Sequence, residues 1–345
     1  MKIRSTNAGR VSVAVAVVLL CWMTARASAQ SQANQKSSDR NTIQVKVNLV
    51  TAPVIVRDAS GEMVRDLEQK DFRVYDNGIE QKIEHFDVAE DPLSVVLVVE
   101  CNDRVDDVMP AIRKSGIVLT QAVLGDTGEG AVVKSSGVVN VEQEMTSDHD
   151  KIESAITELE HDGTSRNKLY DALAQAEDLL GPDGTGKRRV IIAISEATDR
   201  GSATKLGEVL RRAQLANITI YTVGLSSTAQ AMRNTLPDLM AGQLDFLTLG
   251  AWLVQHPKDE VKAHALEATA AATGGAHLPA FRDRSLEPQL DRIGDELRTE
   301  YVLSYRPSDD TLPGYHTIKV VVDRPQMSVR ARPGYFLAAP DREGQ

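Results

Sequence analysis

Residues 93–104, Leu-Ser-Val-Val-Leu-Val-Val-Glu-Cys-Asn-Asp-Arg, constrain the fold more than any other stretch of the chain. A short, nearly continuous aliphatic run reads as a strand buried on both faces, which is the habit of parallel sheets flanked by helices. The charged end of such a strand falls at the carboxyl edge of the sheet, where α/β folds place their ligand sites. Residues 92–300 continue the pattern. Apolar runs at Val190–Ile194 and Ile218–Val223 alternate with helical faces marked by Val108, Ile112, Leu119 and Val123, by Ile152 and Ile156, by Leu169, Leu173 and Leu180, and by Leu286, Leu290, Ile293 and Leu297. Asp148 is placed to cap the second of these helices, and Gly181-Pro182 stops the third. The alternation predicts an α/β, Rossmann-like, doubly wound sheet with right-handed crossovers.

The flanks read differently. In 42–91, Ile43, Val45, Val47 and Leu49 alternate with polar residues, Phe72–Tyr75 is strand-like, Asp76-Asn77-Gly78 is a hairpin signal, and Ile83–Val88 is the expected return strand. Residues 301–339 return to β segments. Neither flank is large enough to bury both faces of a sheet alone. The expectation is that they pair into one small sheet or sandwich, with the α/β domain inserted between them.

The first 29 residues carry Lys2, Arg4 and Arg10, an apolar Val11–Met23 and Ala27-Ser28-Ala29. These are the parts of a secretory signal peptide cleaved before Gln30, and 30–41 reads as a disordered leader. The expected location is the periplasm or the extracellular space, with no membrane requirement after cleavage. Cleavage removes four basic residues and no acids, leaving 35 basic against 49 acidic residues, a net −14 compared with −10 for the whole chain. So acidic a chain repels nucleic acid and anionic lipid. Cleavage also removes Cys21, leaving Cys101 without an intramolecular disulfide partner; no His lies near Cys101 in sequence, and it reads as a small buried hydrophobe rather than a nucleophile.

The order of an acidic cluster after the 93–99 strand, a Gly163-Thr164 loop, Leu169-Tyr-Asp-Ala-Leu173 and Arg188-Arg-Val-Ile-Ile-Ala-Ile-Ser-Glu196 resembles a von Willebrand factor A domain. The flanking Phe72-Arg-Val-Tyr-Asp-Asn-Gly78 and Val329-Arg-Ala-Arg-Pro-Gly-Tyr-Phe336 resemble the exported, A-domain-related proteins of Acidobacteria. The first resemblance implies a metal-ion-dependent adhesion site, in which an Asp-x-Ser-x-Ser motif, a Thr and a later Asp hold an ion such as Mg²⁺ or Mn²⁺ for a partner's acidic side chain. Position by position, the motif falls on Glu100, Asn102 and Arg104, the Thr on Thr164, and the last Asp on Glu196; only Thr164 matches by identity. Arg104 puts a fixed positive charge where a hydroxyl ligand belongs. The expectation is a degenerate site without a cofactor, with Arg104 between Glu100 and Glu196 as counter-charge; the alternative is a Mg²⁺ or Mn²⁺ ion still held by Glu100, Asn102, Thr164 and Glu196 and bridging to a partner's carboxylate. Asp103, Asp106 and Asp107 form an acidic rim, one of the last two capping the next helix, and Asp199 orients its loop.

The 225–260 insertion is apolar for a loop. It reads either as helices packed on their own domain or as a partner-docking surface anchored by Trp252. The seven histidines show no His-x-x-x-His or comparable pair, so no zinc site is suggested. The reading is an exported, non-enzymatic protein of the adhesion or scaffold type whose carboxyl-edge cleft meets a protein or cell-envelope partner. The alternatives are a cell-envelope hydrolase using Glu100 and Glu196 as paired carboxylates, and a structural scaffold with a dead site.

Overall fold

A computed structural model describes residues 49–89, 91–181, 186–196, 199–226, 246–255, 264–281, 286–307 and 313–337. The expected signal peptide, the leader, the strand before Leu49 and most of the 225–260 insertion lie outside the described residues. In chain order the elements begin with β1 (Val50–Arg57), β2 (Phe72–Asp76), β3 (Ile79–Gln81), β4 (Ile83–Val88) and β5 (Leu93–Glu100). Helix α1 (Met109–Lys114) runs through Gly116–Val118 into a π-helical turn, Leu119–Leu124. There follow β6 (Glu129–Ser135), β7 (Val139–Thr146), α2 (His149–Thr157), α3 (Leu169–Leu180), β8 (Arg188–Ser195), α4 (Leu206–Leu215), β9 (Ile218–Ser226) and α5 (Phe246–Gln255). The chain closes with α6 (Ala265–Thr273), β10 (His277–Phe281), α7 (Leu286–Thr299), β11 (Tyr301–Tyr305), β12 (Gly314–Val322), β13 (Ser328–Ala331) and β14 (Gly334–Leu337).

Six strands form one sheet in the order β10-β9-β8-β5-β6-β7, parallel except for β7 at its edge. Every residue of β5 is buried, because β6 and β8 flank it and helices cover both faces. Leu97 and Val99 face the core under α1, α2 and α7, while Val96 and Val98 face the core under α3 and α4. The sheet is doubly wound, as the alternation of elements requires. The strand order reverses between β5 and β8, so the switch-point crevice lies at the ends of those two strands.

The flanking segments form two four-stranded sheets, β13-β1-β11-β4 and β14-β12-β2-β3, and each takes strands from both ends of the chain. Their inner faces share one core that includes Val54, Phe72, Val74, Tyr301, Leu303 and Ile318. Asn77 and Gly78 have φ of 47° and 82°, the left-handed pair a two-residue hairpin demands. Its return strand is β3 rather than the expected 83–88 segment. That segment, β4, leaves for the other sheet and pairs with β11, where Phe86 stacks on Tyr301 against the shared core. Strand β10 has no counterpart in the sequence reading; it is five residues long and contains Pro279, tolerated because it is an edge strand. Asp148 caps α2 through Lys151 N, as expected.

Candidate functional site

The end of β5 delivers Glu100 to the switch point at 1% exposure. Three donors hold its carboxylate. Asn102 Nδ2 donates to Oε1 at 2.7 Å, and Ser195 Oγ and Glu196 N donate to Oε2 at 2.6 and 2.8 Å. Burial raises the Glu100 pKa above the ordinary carboxylate value, the three donors pull it back, and the nearby Glu196 charge adds to the rise.

Asn102, fully buried, ties two loops together. Its Nδ2 also donates to the Arg166 carbonyl at 3.2 Å, and its Oδ1 accepts from Arg104 N at 2.9 Å. Asp103 N donates to the Thr164 carbonyl at 3.0 Å, which sets the Gly163-Thr164 loop against the end of β5. The Thr164 hydroxyl accepts from Arg166 N at 3.3 Å. Beneath these loops Asn167 accepts from Ser135 Oγ at 2.5 Å and donates to Ser195 Oγ at 3.2 Å. The ends of β5, β6 and β8 are therefore joined by a buried polar chain, Ser135–Asn167–Ser195–Glu100. Asn102 and Glu196 N meet Glu100 at the strand end, whereas Thr164 joins them only through its carbonyl, its hydroxyl bonding within its own loop. The reading missed Ser135 and Asn167, whose only sequence signal is their place at the end of a strand and beside the Thr164 loop.

Arg104 reaches only one of its two expected partners. Its Nε and Nη2 lie 2.8 and 2.7 Å from Glu196 Oε2 in a half-buried pair, whereas Glu100 is satisfied by the neutral donors above. Arg104 stands four residues past the strand end, on the rim, and the buried carboxylate sits below it. The acidic rim departs from expectation too. The N-cap position of helix α1 is Val108, which offers no capping side chain. Asp106 Oδ1 instead lies 3.5 Å from His161 Nε2, whose Nδ1 is 3.4 Å from Asp103 Oδ1. Asp199 accepts from Tyr170 N and Ser202 Oγ, at 3.2 and 2.6 Å, and so holds the loop after β8 on α3. Cys101 is buried, and burial pushes its thiol up to about 12, so it is no nucleophile at neutral pH.

The described part of the insertion, α5, folds back on its own domain. Leu253 and Val254 are fully buried with Leu206 and Leu210 of α4 and Ala265 and Ala268 of α6. Trp252 on the same helix is 39% exposed. Among the described residues, no three His, Cys, Asp or Glu side chains stand gathered as a metal site, and no helix is long and apolar enough to cross a membrane.

No family model and no curated protein matches the chain. It is similar to several solved structures. One is the conserved hypothetical protein BatB from Bacteroides thetaiotaomicron, at 12% identity over 59% of this chain and 98% of that one, with a TM-score of 0.40. Another is a von Willebrand factor type A protein from Catenulispora acidiphila, at 9% identity over 86% and 76%, TM-score 0.45. A third is proximal thread matrix protein 1 from the mussel byssus, with a zinc-occupied MIDAS motif, at 10% identity over 64% and 49%, TM-score 0.45. Likeness at this level carries no argument about function; the fold stands on the strand order and register above.

Proposed function

We propose that this chain is an exported, non-enzymatic binding protein of the von Willebrand factor A type, akin to the A-domain-related exported proteins of Acidobacteria, whose switch-point cleft meets a protein or cell-envelope partner without a metal ion. The observation that carries this reading is the Arg104–Glu196 pair above a Glu100 whose two oxygens both accept from the chain's own donors. The residues do not fit a divalent ion. A hard cation needs several oxygens free to point at it. Here both Glu100 oxygens, Asn102 Oδ1, Thr164 Oγ1 and Glu196 Oε2 already accept from the chain's own donors. A guanidinium also occupies the place of a ligand hydroxyl. Arg104, 31% exposed, offers a partner's carboxylate the positive charge that a bound ion would offer elsewhere. Trp252 and Asp103, both partly exposed, supply further contact surface on the same domain.

Two measurements test this. Calorimetric titration of Mg²⁺ and Mn²⁺ into the whole chain is expected to show no micromolar site; binding that disappears in E100Q overturns the metal-free reading. Crosslinking capture from the native envelope is expected to be insensitive to chelator and lost in R104A. Capture that depends on chelator, or survives R104A unchanged, removes the proposed role of the pair.

A further inference from the structure

A cavity of about 420 Å³ lies at the other end of the central sheet from the Glu100 cleft. One wall is the outer face of β1, β11 and β4; the other is the amino ends of β8 and β9. Strand alternation makes the first wall. Ala52, Leu303 and Phe86 pack into the core between the two small sheets, so their neighbours Thr51, Ser304 and Asp87 look the other way, into the cavity. Exposure sorts the lining charges by depth. Arg189 and Arg332 are each 4% exposed and the Arg188 side chain 15%, whereas Asp87 and Asp91 are exposed. The deep guanidinium groups are held in place. Arg189 Nη1 donates to the Gly181 carbonyl at 3.1 Å, Arg332 Nη1 to Asn217 Oδ1 at 3.0 Å and Arg188 Nη1 to Glu300 Oε2 at 2.8 Å. Arg188 Nε is buried yet meets no acceptor among the described residues. A buried donor left in that state is uncommon and calls for a partner. At the mouth, neither Asp87 nor Asp91 is in an ion pair among the described residues.

We propose that this cavity binds a small zwitterion of the amino-acid or short-peptide class, its carboxylate on Arg188 and the neighbouring guanidinium groups and its ammonium toward Asp87 and Asp91 at the mouth. The volume falls within the range of small-molecule sites, about 300–1,000 Å³. The two ends of the cavity differ in sign. Three guanidinium groups and one carboxylate, Glu300, line the deep end, and burial raises the Glu300 pKa, which favours its neutral form. An anion alone meets two exposed acids on its way in, and a cation alone meets three arginines inside. A molecule that carries both charges meets each with its opposite. Guanidinium forks already fixed by hydrogen bonds lose little freedom when a carboxylate docks. Lys187 also lines the cavity, but its Nζ is taken by Glu129 Oε2 at 2.6 Å. Val190, Ile218 and Val302 on the walls suit an aliphatic body between the two charges. The site escapes a reading of the sequence because Asp87 and Arg188 are about a hundred residues apart and meet only where a small sheet packs on the amino edge of a large one.

The experiment titrates leucine and leucyl-leucine into the full chain by calorimetry, beside N-acetyl-leucine, which lacks the ammonium, and leucinamide, which lacks the carboxylate. The expected result is saturable binding of leucine or the dipeptide, weaker by about 10-fold or more for each analogue that has lost a charge. R188K keeps the positive charge but not the Nε–H or the planar fork, and weakens leucine and N-acetyl-leucine alike by about 10-fold. The double variant D87N/D91N, at exposed positions, weakens leucine by about 10-fold and leaves N-acetyl-leucine unchanged. Circular dichroism checks the fold of each variant, and D87N/D91N keeps the test open if R188K unfolds. No saturable binding of leucine or leucyl-leucine at millimolar concentration overturns the proposal. So does binding that the two analogues match in strength, or binding unchanged in both R188K and D87N/D91N.

Discussion

Two of the buried carboxylates have opposite surroundings, Glu100 at 1% exposure where β5 ends and Glu296 at 0% where α7 meets β1 and β13. Glu296 is surrounded by guanidinium groups. Arg57 lies 2.7 Å away, Arg330 bonds its other oxygen, and Arg292 stands at 3.8 Å. Burial works against its charge, but Arg330 and Arg57 outweigh burial and hold its pKa below the usual range. Glu100 has hydroxyl and amide donors instead, burial prevails, and its pKa rises. The arginines are spent where two layers of the molecule must stay joined. At the switch point Arg104 is kept on the rim, paired with Glu196 and partly open to solvent.

The largest expected effect tests the joint. E296Q leaves Arg57 and Arg330 without their common counter-ion in a buried site, and should cost about 3–5 kcal/mol. E100Q should cost only about 1–2 kcal/mol, since a group already pushed toward its neutral form loses little with its charge, apart from one amide hydrogen facing a donor. Urea unfolding of both variants decides the matter. Equal losses would mean that the two acids do the same work.

Acidity and alkalinity should separate them further. A raised carboxyl keeps its proton in the folded state after the unfolded chain has lost its own, so stability falls as pH climbs between the two values. Glu177 on α3 shows this most clearly, because burial pushes it up to about 8 from 4.5. Arg212 Nε comes within 3.0 Å of Glu177 Oε2, yet neither carboxylate oxygen accepts a well-aligned hydrogen bond, so the pair offsets little of the desolvation. Stability should therefore decline from about pH 4.5 to about 8 by an amount on the order of 2–4 kcal/mol, and E177Q should remove most of that slope. Glu100 adds to the same decline. Glu296 acts in reverse: its lowered pKa gives stability present above the unfolded value and lost as pH falls. Thermal melts from pH 4 to 9 on wild type, E177Q and E296Q resolve the three contributions; a wild-type curve flat over pH 5–8 contradicts the assignment of Glu177.

The contrast also explains what could be read from residues alone. The β5 run declared its own burial, because only a strand covered on both faces can dispense with polar alternation, and the reversal of strand order followed from the alternating elements. The grouping of Glu100, Asn102, Thr164 and Glu196 came from the resemblance to a von Willebrand factor A domain rather than from any local pattern. What escaped was whatever depends on side chains meeting across loops. Ser135 and Asn167 are unremarkable polar residues until β5, β6 and β8 align their ends. Arg104 could be aimed at two acids in sequence, but the depth of Glu100 below the rim is a matter of packing. Strand β10 and the departure of β4 to a second sheet depend on which edges were left uncovered, which no local pattern records.

The smallest expected effect on stability is the one that most sharpens the contrast. R104A removes a pair whose members are 31% and 13% exposed, and solvent already screens it. The loss should be about 1 kcal/mol or less by urea unfolding. R330A, by the same measurement, should cost several times more, because it strips a buried acid of a partner. If R104A instead destabilises as much as R330A, the rim arginine is one more structural clamp, and the reason for reading it as a contact for a partner's carboxylate is gone. If it barely moves the midpoint while abolishing capture of the envelope partner, the two ends of the molecule use the same kind of ion pair for different purposes: one to hold layers together, the other to hold a charge in readiness at an open edge.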